Sequence, residues 1–118
     1  MKYKVILISI LMFLALINIV FATNSEIVGV WVDSYNNYDE YKADGTYVGF
    51  NIDNNKKYIG VTGKYKIESD KIIITFTTSE SCKVNVGDIE SIRYTIKDNQ
   101  LIYIDNKGKV INKLKRVK

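Results

Sequence analysis

The strictest constraint on how this chain can fold lies between residues 58 and 68. Ile59, Val61, Gly63, Tyr65 and Ile67 alternate there with Tyr58, Gly60, Thr62, Lys64, Lys66 and Glu68. A period of two sends successive side chains to opposite faces of an extended strand, here one apolar and one wet. A helix could not gather those apolar residues into one stripe. Such a strand needs partners along its edges and a cover for its apolar face, so the flanking sequence has to provide further strands.

The flanking sequence reads the same way. Residues 27–33 hold Ile27, Val28, Val30, Trp31 and Val32 around Gly29, all β-formers apart from the glycine. Residues 38–43, 46–52, 71–78, 88–97, 100–105 and 109–117 follow as strands. In three of them the apolar residues are in phase: Val48, Phe50 and Ile52; Ile72, Ile74 and Phe76; Ile92, Tyr94 and Ile96. Polar turn clusters separate the strands at Ser34–Asn37, Asp53-Asn54-Asn55, Ser69-Asp70, Asp98-Asn99 and Asn106-Lys107-Gly108. Asp44-Gly45 is a strong two-residue hairpin signal, because both residues tolerate positive φ. Residues 79–87, which include Cys82, form the longest irregular connection. Nothing after residue 22 carries a helical period. Strands recurring at roughly 8–12 residues with turns between them predict a sandwich or barrel. Hairpin-length connections make a meander, and a meander of this length avoids open edges by closing on itself. The predicted fold is all-β: one antiparallel up-and-down meander of about eight strands closed into a small barrel. The phases place Val48, Phe50, Ile59, Val61, Tyr65, Ile67, Ile72, Ile74, Phe76, Ile92, Tyr94 and Ile96 inside it.

Residues 1–22 have a different character. Lys2 and Lys4 precede an apolar run from Val5 to Phe21, interrupted only by Ser9 and Asn18, and Val20-Phe21-Ala22 ends it. A positive start, an apolar middle and small residues at the positions a signal peptidase reads make a secretory signal peptide. The run falls short of the ~20 residues that span a bilayer comfortably. The expectation is cleavage after Ala22, with an uncleaved N-terminal anchor as the alternative and the only foreseen contact with a membrane. The domain then occupies residues 23–118 and is secreted, or periplasmic in a Gram-negative source. The chain has 17 basic and 13 acidic residues. Two of the basic ones, Lys2 and Lys4, belong to the leader, so the remainder is nearly balanced. That balance and secretion both argue against a nucleic-acid partner.

Composition narrows the chemistry further. The chain has no histidine and one cysteine. It therefore has no imidazole base or ligand, no Ser-His or Cys-His pair and no internal disulfide. Glu40-x-Lys42-x-Asp44-Gly45 puts a lysine where a calcium loop needs oxygen, and Asp105-Asn106-Lys107-Gly108 fails likewise. No catalytic residue, metal site or cofactor is expected, and the protein is read as a non-enzyme. The nine tyrosines are read as strand residues, in keeping with the abundant Ile, Lys and Asn that an AT-rich genome encodes.

Gly29-x-Trp31 on the first strand, followed by an all-β meander, resembles the calycin group of lipocalins, fatty-acid-binding proteins and their relatives. The order Gly-x-Trp, Asp44-Gly45-Thr46-Tyr47, Gly63-Lys64-Tyr65-Lys66-Ile67 and a last strand with Arg116 is similar to small secreted bacterial lipocalin-like domains. The resemblance implies that Gly29, Trp31 and Arg116 close one end of the barrel, the guanidinium lying over the indole. It also implies that any ligand enters at the other end. The chain is shorter than a lipocalin and bulky residues point inward, so the expected cavity is a shallow mouth. Phe50, Val61, Tyr65, Ile74, Phe76 and Tyr94 are the expected ligand-lining residues. The function so implied is binding of a small apolar or amphipathic ligand at the barrel mouth. The alternative is a solid-core extracellular domain that contacts another protein or the cell wall through its surface, with Lys107, Lys109, Lys113, Lys115, Arg116 and Lys118 making a basic C-terminal end.

Overall fold

The computed structural model describes residues 26–117. The leader expected at residues 1–22 lies outside them. Eight strands follow in order: β1 Gly29–Val32, β2 Asn37–Tyr41, β3 Thr46–Asp53, β4 Lys56–Glu68, β5 Lys71–Ser79, β6 Ile89–Lys97, β7 Gln100–Ile104 and β8 Val110–Arg116. Each pairs antiparallel with the next, and β8 pairs with β1 through Trp31↔Arg116 and Val32↔Lys115. The result is a closed up-and-down barrel, compatible with a lipocalin-like fold.

Two forms of tight turn recur among the connections. Asn54-Asn55 (φ 51° and 62°) and Asp98-Asn99 (φ 52° and 61°) are two-residue turns with both residues left-handed, a geometry that matches the twist of the flanking strands. Asp44-Gly45 does not form one of these, contrary to the sequence expectation. Gly45 N–H donates to the Lys42 carbonyl (3.1 Å), Lys42 N–H donates to the Thr46 carbonyl (2.8 Å), and of Asp44 and Gly45 only Gly45 has positive φ, at 89°. The hairpin is longer, with the glycine in the left-handed closing position. The Asp44 carboxylate accepts the Thr46 N–H at 2.9 Å instead. Residues 105–108 repeat this form, with Gly108 at φ 83° donating to the Asp105 carbonyl at 3.1 Å.

Register decides which side chains are inside. Tyr41↔Tyr47, Tyr47↔Gly63, Tyr65↔Ile74, Ile67↔Ile72, Ile72↔Ile92, Tyr94↔Tyr103, Ile96↔Leu101 and Leu101↔Leu114 share the inner face. Trp31, Tyr41, Ile72, Ile74, Leu101 and Leu114 are fully buried there, with Ile27 under the first strand. Val48 and Phe50 are on the other face, which corrects the sequence expectation. They form a separate cluster with Val30, flanked by Tyr38. Tyr38 stacks on Phe50 with centroids 5.0 Å apart. Both faces of β3 carry apolar residues, so alternation alone could not say which was inner. The pairing of Tyr47 with Tyr41 settles it. Ile59 is also outside, half exposed. The register of β4 against β3 shifts at Gly49/Phe50, and that extra residue turns Ile59 to the face opposite the one its phase with Val61 predicted.

The turns at residues 42–45, 69–70 and 98–99 gather at one end of the barrel with Ile27 and the end of β8. The connections at residues 33–36, 54–55, 80–88 and 105–109 gather at the other. Cys82 is exposed in the longest of these.

Candidate functional site

The first end is plugged. Trp31 is fully buried, and its indole N–H donates to the Ile27 carbonyl at 2.9 Å. The Arg116 guanidinium sits 4.2 Å from the Trp31 ring centroid. Its Nη1 donates to the Val28 carbonyl (3.0 Å) and its Nη2 to the Glu26 carbonyl (2.8 Å). One side chain from the last strand thus bonds the chain entering the first and covers its indole. Gly29 stands at φ 146°, a conformation that side-chain-bearing residues rarely adopt. Tyr65 belongs to the same end, where its hydroxyl donates to the Lys42 carbonyl at 2.7 Å.

The opposite end holds a cavity of about 200 Å³. Its floor is Tyr41, Tyr47, Tyr103 and Ile74, and its wall includes Ile92. Ile111 and Glu90, both exposed, stand at the rim, with Asn112 and Asp39 completing the lining. A hydrogen-bond network orders the polar side. Tyr47 Oη donates to Asp39 Oδ1 and Tyr103 Oη donates to Asp39 Oδ2, each at 2.6 Å. Tyr41 Oη lies 2.7 Å from Tyr103 Oη, and since a phenol has one proton, Tyr41 is the donor in that pair. Asp33, two residues past Trp31, is held by the Asn37 and Tyr35 amides at 2.9 Å, and Asn112 Nδ2 donates to its Oδ2 at 3.1 Å. Among the described residues every buried side-chain nitrogen or oxygen has a partner.

Glycine makes the network possible. A Cβ on Gly49 would lie 2.8 Å from Val61 Cγ2 and 2.9 Å from Tyr47 Oη. Gly49 pairs with Asp39, so its bare backbone leaves the path by which the Tyr47 phenol reaches the carboxylate.

The cavity is electrostatically one-sided. Burial pushes the Asp39 carboxyl up, the bonds from Tyr103 and Tyr47 pull it back in part, and the Asp33 charge adds to the rise. At the rim Glu90 is partly withdrawn from bulk water, which pushes its carboxyl up, helped by the Asp39 charge. The Tyr41, Tyr47 and Tyr103 phenols are pushed far above their ordinary value, chiefly by burial and with Asp39 contributing, so they are donors at any physiological pH. Burial raises Asp33 too, but its bonds from the Asn37 amide, Asn112, the Tyr35 amide and the Asn37 side chain outweigh that and hold it below its usual range. Among the described residues, no lysine or arginine lines the cavity. The ion pairs among the described residues join Lys57–Glu40, Lys66–Glu68 and Arg93–Asp70, away from Asp33, Asp39 and Glu90.

Of the expected ligand-lining residues, Ile74 lines the cavity. Phe76 is buried beneath it, edge-on to Tyr47 with centroids 6.2 Å apart. Val61 and Tyr94 pack against the core at partial burial. Tyr65 lies at the plugged end, and Phe50 is outside the barrel, where Lys57 Nζ stands 4.1 Å from its ring centroid. Sequence reasoning missed Asp39, Tyr41, Tyr47, Glu90, Tyr103 and Asn112. The sequence reading takes the tyrosines as strand residues and gives Asp39 no role. The signal was present: a hairpin centred on residues 42–45 pairs Tyr41 with Tyr47 and Asp39 with Gly49, so an acid sharing a face with two tyrosines is readable once the turn is placed.

No protein-family model matches the chain, and no curated protein matches it.

Proposed function

We propose that residues 23–118 form a secreted lipocalin-like module that takes a small amphipathic molecule in the mouth of the barrel. The observation that carries this reading is the cavity at the open end, which combines isoleucine walls with a phenol–carboxylate network on one side. Small-molecule sites commonly set a few convergent polar groups in an otherwise apolar concavity of ~300–1,000 Å³. This cavity is smaller, at about 200 Å³. An engineered apolar cavity of ~150 Å³ holds benzene, so the ligand is a single ring or a short chain with a head group and not a long acyl chain. The plug formed by Trp31 and Arg116 leaves the opposite mouth as the entrance. Secretion follows from the leader read in residues 1–22, and the relation to lipocalin-like domains from the motif order together with the barrel.

The test is a ¹⁵N NMR titration of the domain with benzyl alcohol. Shifts should concentrate at Glu90, Ile92, Ile111 and Asn112. Shifts spread over the outer face, with those residues silent, would sink the reading.

One observation favours a second reading, in which the barrel acts through its outside. On the outer face of β3 and β4, Ile52 is 41 % and Ile59 51 % exposed, beside the buried apolar cluster of Val30, Val48 and Phe50. Contact with another protein would use this face, and contact with the cell wall would use the lysines of β8. Retention on purified wall that is unchanged in a Lys113→Gln/Lys115→Gln variant would count against the wall version.

A further inference from the structure

Among the described residues, no cationic side chain lines the mouth cavity beside Asp39. Among the described residues, the partners of the Asp39 carboxylate are two neutral phenols. A buried carboxylate ordinarily has a cationic partner or gives up its charge, because removal from water costs several kcal/mol and neutral hydroxyls repay only part of it. The groups facing Asp39 are known element by element. Asp33 follows β1, Tyr41 shares β2, Tyr47 comes from β3, Glu90 from β6, Tyr103 from β7 and Asn112 from β8. The lining contributed by β5 is Ile74. The carboxyls among them are Asp33, Asp39 and Glu90, no lysine or arginine stands with them among the described residues, and the cavity lies beside Asp39 and Glu90.

The geometry points to an organic monocation, an ammonium or guanidinium head on an apolar body about the size of one aromatic ring, as the ligand class of the mouth cavity. This rests on the reading of the cavity as a ligand site and narrows it. The head would lie between the Asp39 and Glu90 carboxylates, where a low local dielectric strengthens the attraction. The body would meet Ile74, Ile92 and Ile111. An anion of the same shape would meet two like charges. A neutral analogue would fill the same space without neutralising Asp39. A bare metal ion is a poorer fit, since among the described residues no group of three or more His, Cys, Asp or Glu side chains is placed to hold one.

Protons enter as a consequence. A cation binds the ionised carboxylate, so affinity should fall as the pH drops through the raised Asp39 range, and binding there should release a proton.

The experiment compares benzylammonium, benzyl alcohol and benzoate by NMR titration of the domain at pH 7. We expect benzylammonium to bind about tenfold or more tightly than benzyl alcohol, and benzoate to leave the cavity residues unmoved. Asp39→Asn should weaken benzylammonium about tenfold more than it weakens benzyl alcohol. Glu90→Gln, at the exposed rim, should weaken it by a smaller factor and keeps the test available if the Asp39 variant fails to fold. Equal binding of benzyl alcohol, binding of benzoate, or benzylammonium affinity indifferent to both substitutions would overturn the cation assignment and leave the cavity a ligand site. Silence of the cavity residues toward all three compounds would instead remove the ligand-site reading itself.

Discussion

At the scale of single residues, the mouth depends on a missing side chain as much as on those present. Tyr47 can donate to Asp39 because Gly49 has no Cβ to obstruct the phenol. The bond favours the ionised carboxylate and so opposes the rise that burial imposes on Asp39. Tyr47→Phe removes the donor and keeps the ring, so the Asp39 pKa should rise further, as read by ¹³C NMR titration of the carboxyl carbon. Gly49→Ala should shift it in the same direction for a different reason, since the added methyl displaces the phenol. It should also destabilise the fold by about 1–3 kcal/mol, because Val61 is pressed from the same position. An unmoved Asp39 pKa in both variants would mean that Tyr47 does not govern the carboxylate.

At the scale of elements, β1 and β8 are joined mainly through side chains. Their ladder is short, Trp31↔Arg116 and Val32↔Lys115, and it is extended by the Val117 N–H bond to the Val30 carbonyl, the Asn112 bond to Asp33, and the Arg116 head, bonded to the Glu26 and Val28 carbonyls above the indole. Arg116→Ala should therefore cost on the order of 2 kcal/mol, from a cation–aromatic contact of about 0.5–2 kcal/mol and the lost hydrogen bonds. For a domain of this size that is a fall in Tm of about 4–8 °C per kcal/mol, readable by calorimetry. Arg116→Lys keeps the charge without the planar fork and should recover only part of it. The pairing partners Trp31 and Arg116 were legible because Gly-x-Trp and a terminal arginine are distinctive in an all-β chain. The strands were legible too, β4 most clearly, since its apolar and polar sets do not mix. What escaped was the inner face of β2 and β3. There Val48, Phe50 and Ile52 form the more hydrophobic set by composition, while the inner set is Asp39, Tyr41, Tyr47 and Gly49. A face that holds a phenol–carboxylate network looks polar in a one-dimensional pattern. Only register, fixed by a turn whose true length differs from the one Asp44-Gly45 suggests, reveals it as the inside.

At the scale of the whole molecule, two consequences follow from how charge and strand length are distributed. Asp39 and Glu90 have folded-state pKa values above those of the unfolded chain. The stability they contribute is fully present below the unfolded carboxyl range of about 4 and is lost as the pH rises through their raised values. Asp33 is depressed, so its contribution is present above that range and is lost as the pH falls through its lowered value. The Tm should therefore rise on acidification from neutrality, reach a maximum in the mildly acidic range, and fall below it. An Asp39→Asn/Glu90→Gln variant should lose the rise and keep the fall. The second consequence concerns where the barrel opens. β3, β4 and β5 have 8, 13 and 9 residues and pair along most of their length, whereas β1 has 4. Local opening follows the weakest cooperative unit. The seam between β1 and β8 should open without the rest, while the β4–β5 ladder exchanges only on global unfolding. Hydrogen exchange should thus find the Val117 amide, bonded to the Val30 carbonyl at 2.7 Å, at least about tenfold less protected than the amides of Lys66 and Ile73, which face each other across β4 and β5. Arg116→Ala should widen that gap, because it weakens the seam more than the ladder. Equal protection at all three amides would show that the barrel opens only as a whole and that Arg116 stabilises the molecule globally, without holding a seam of its own.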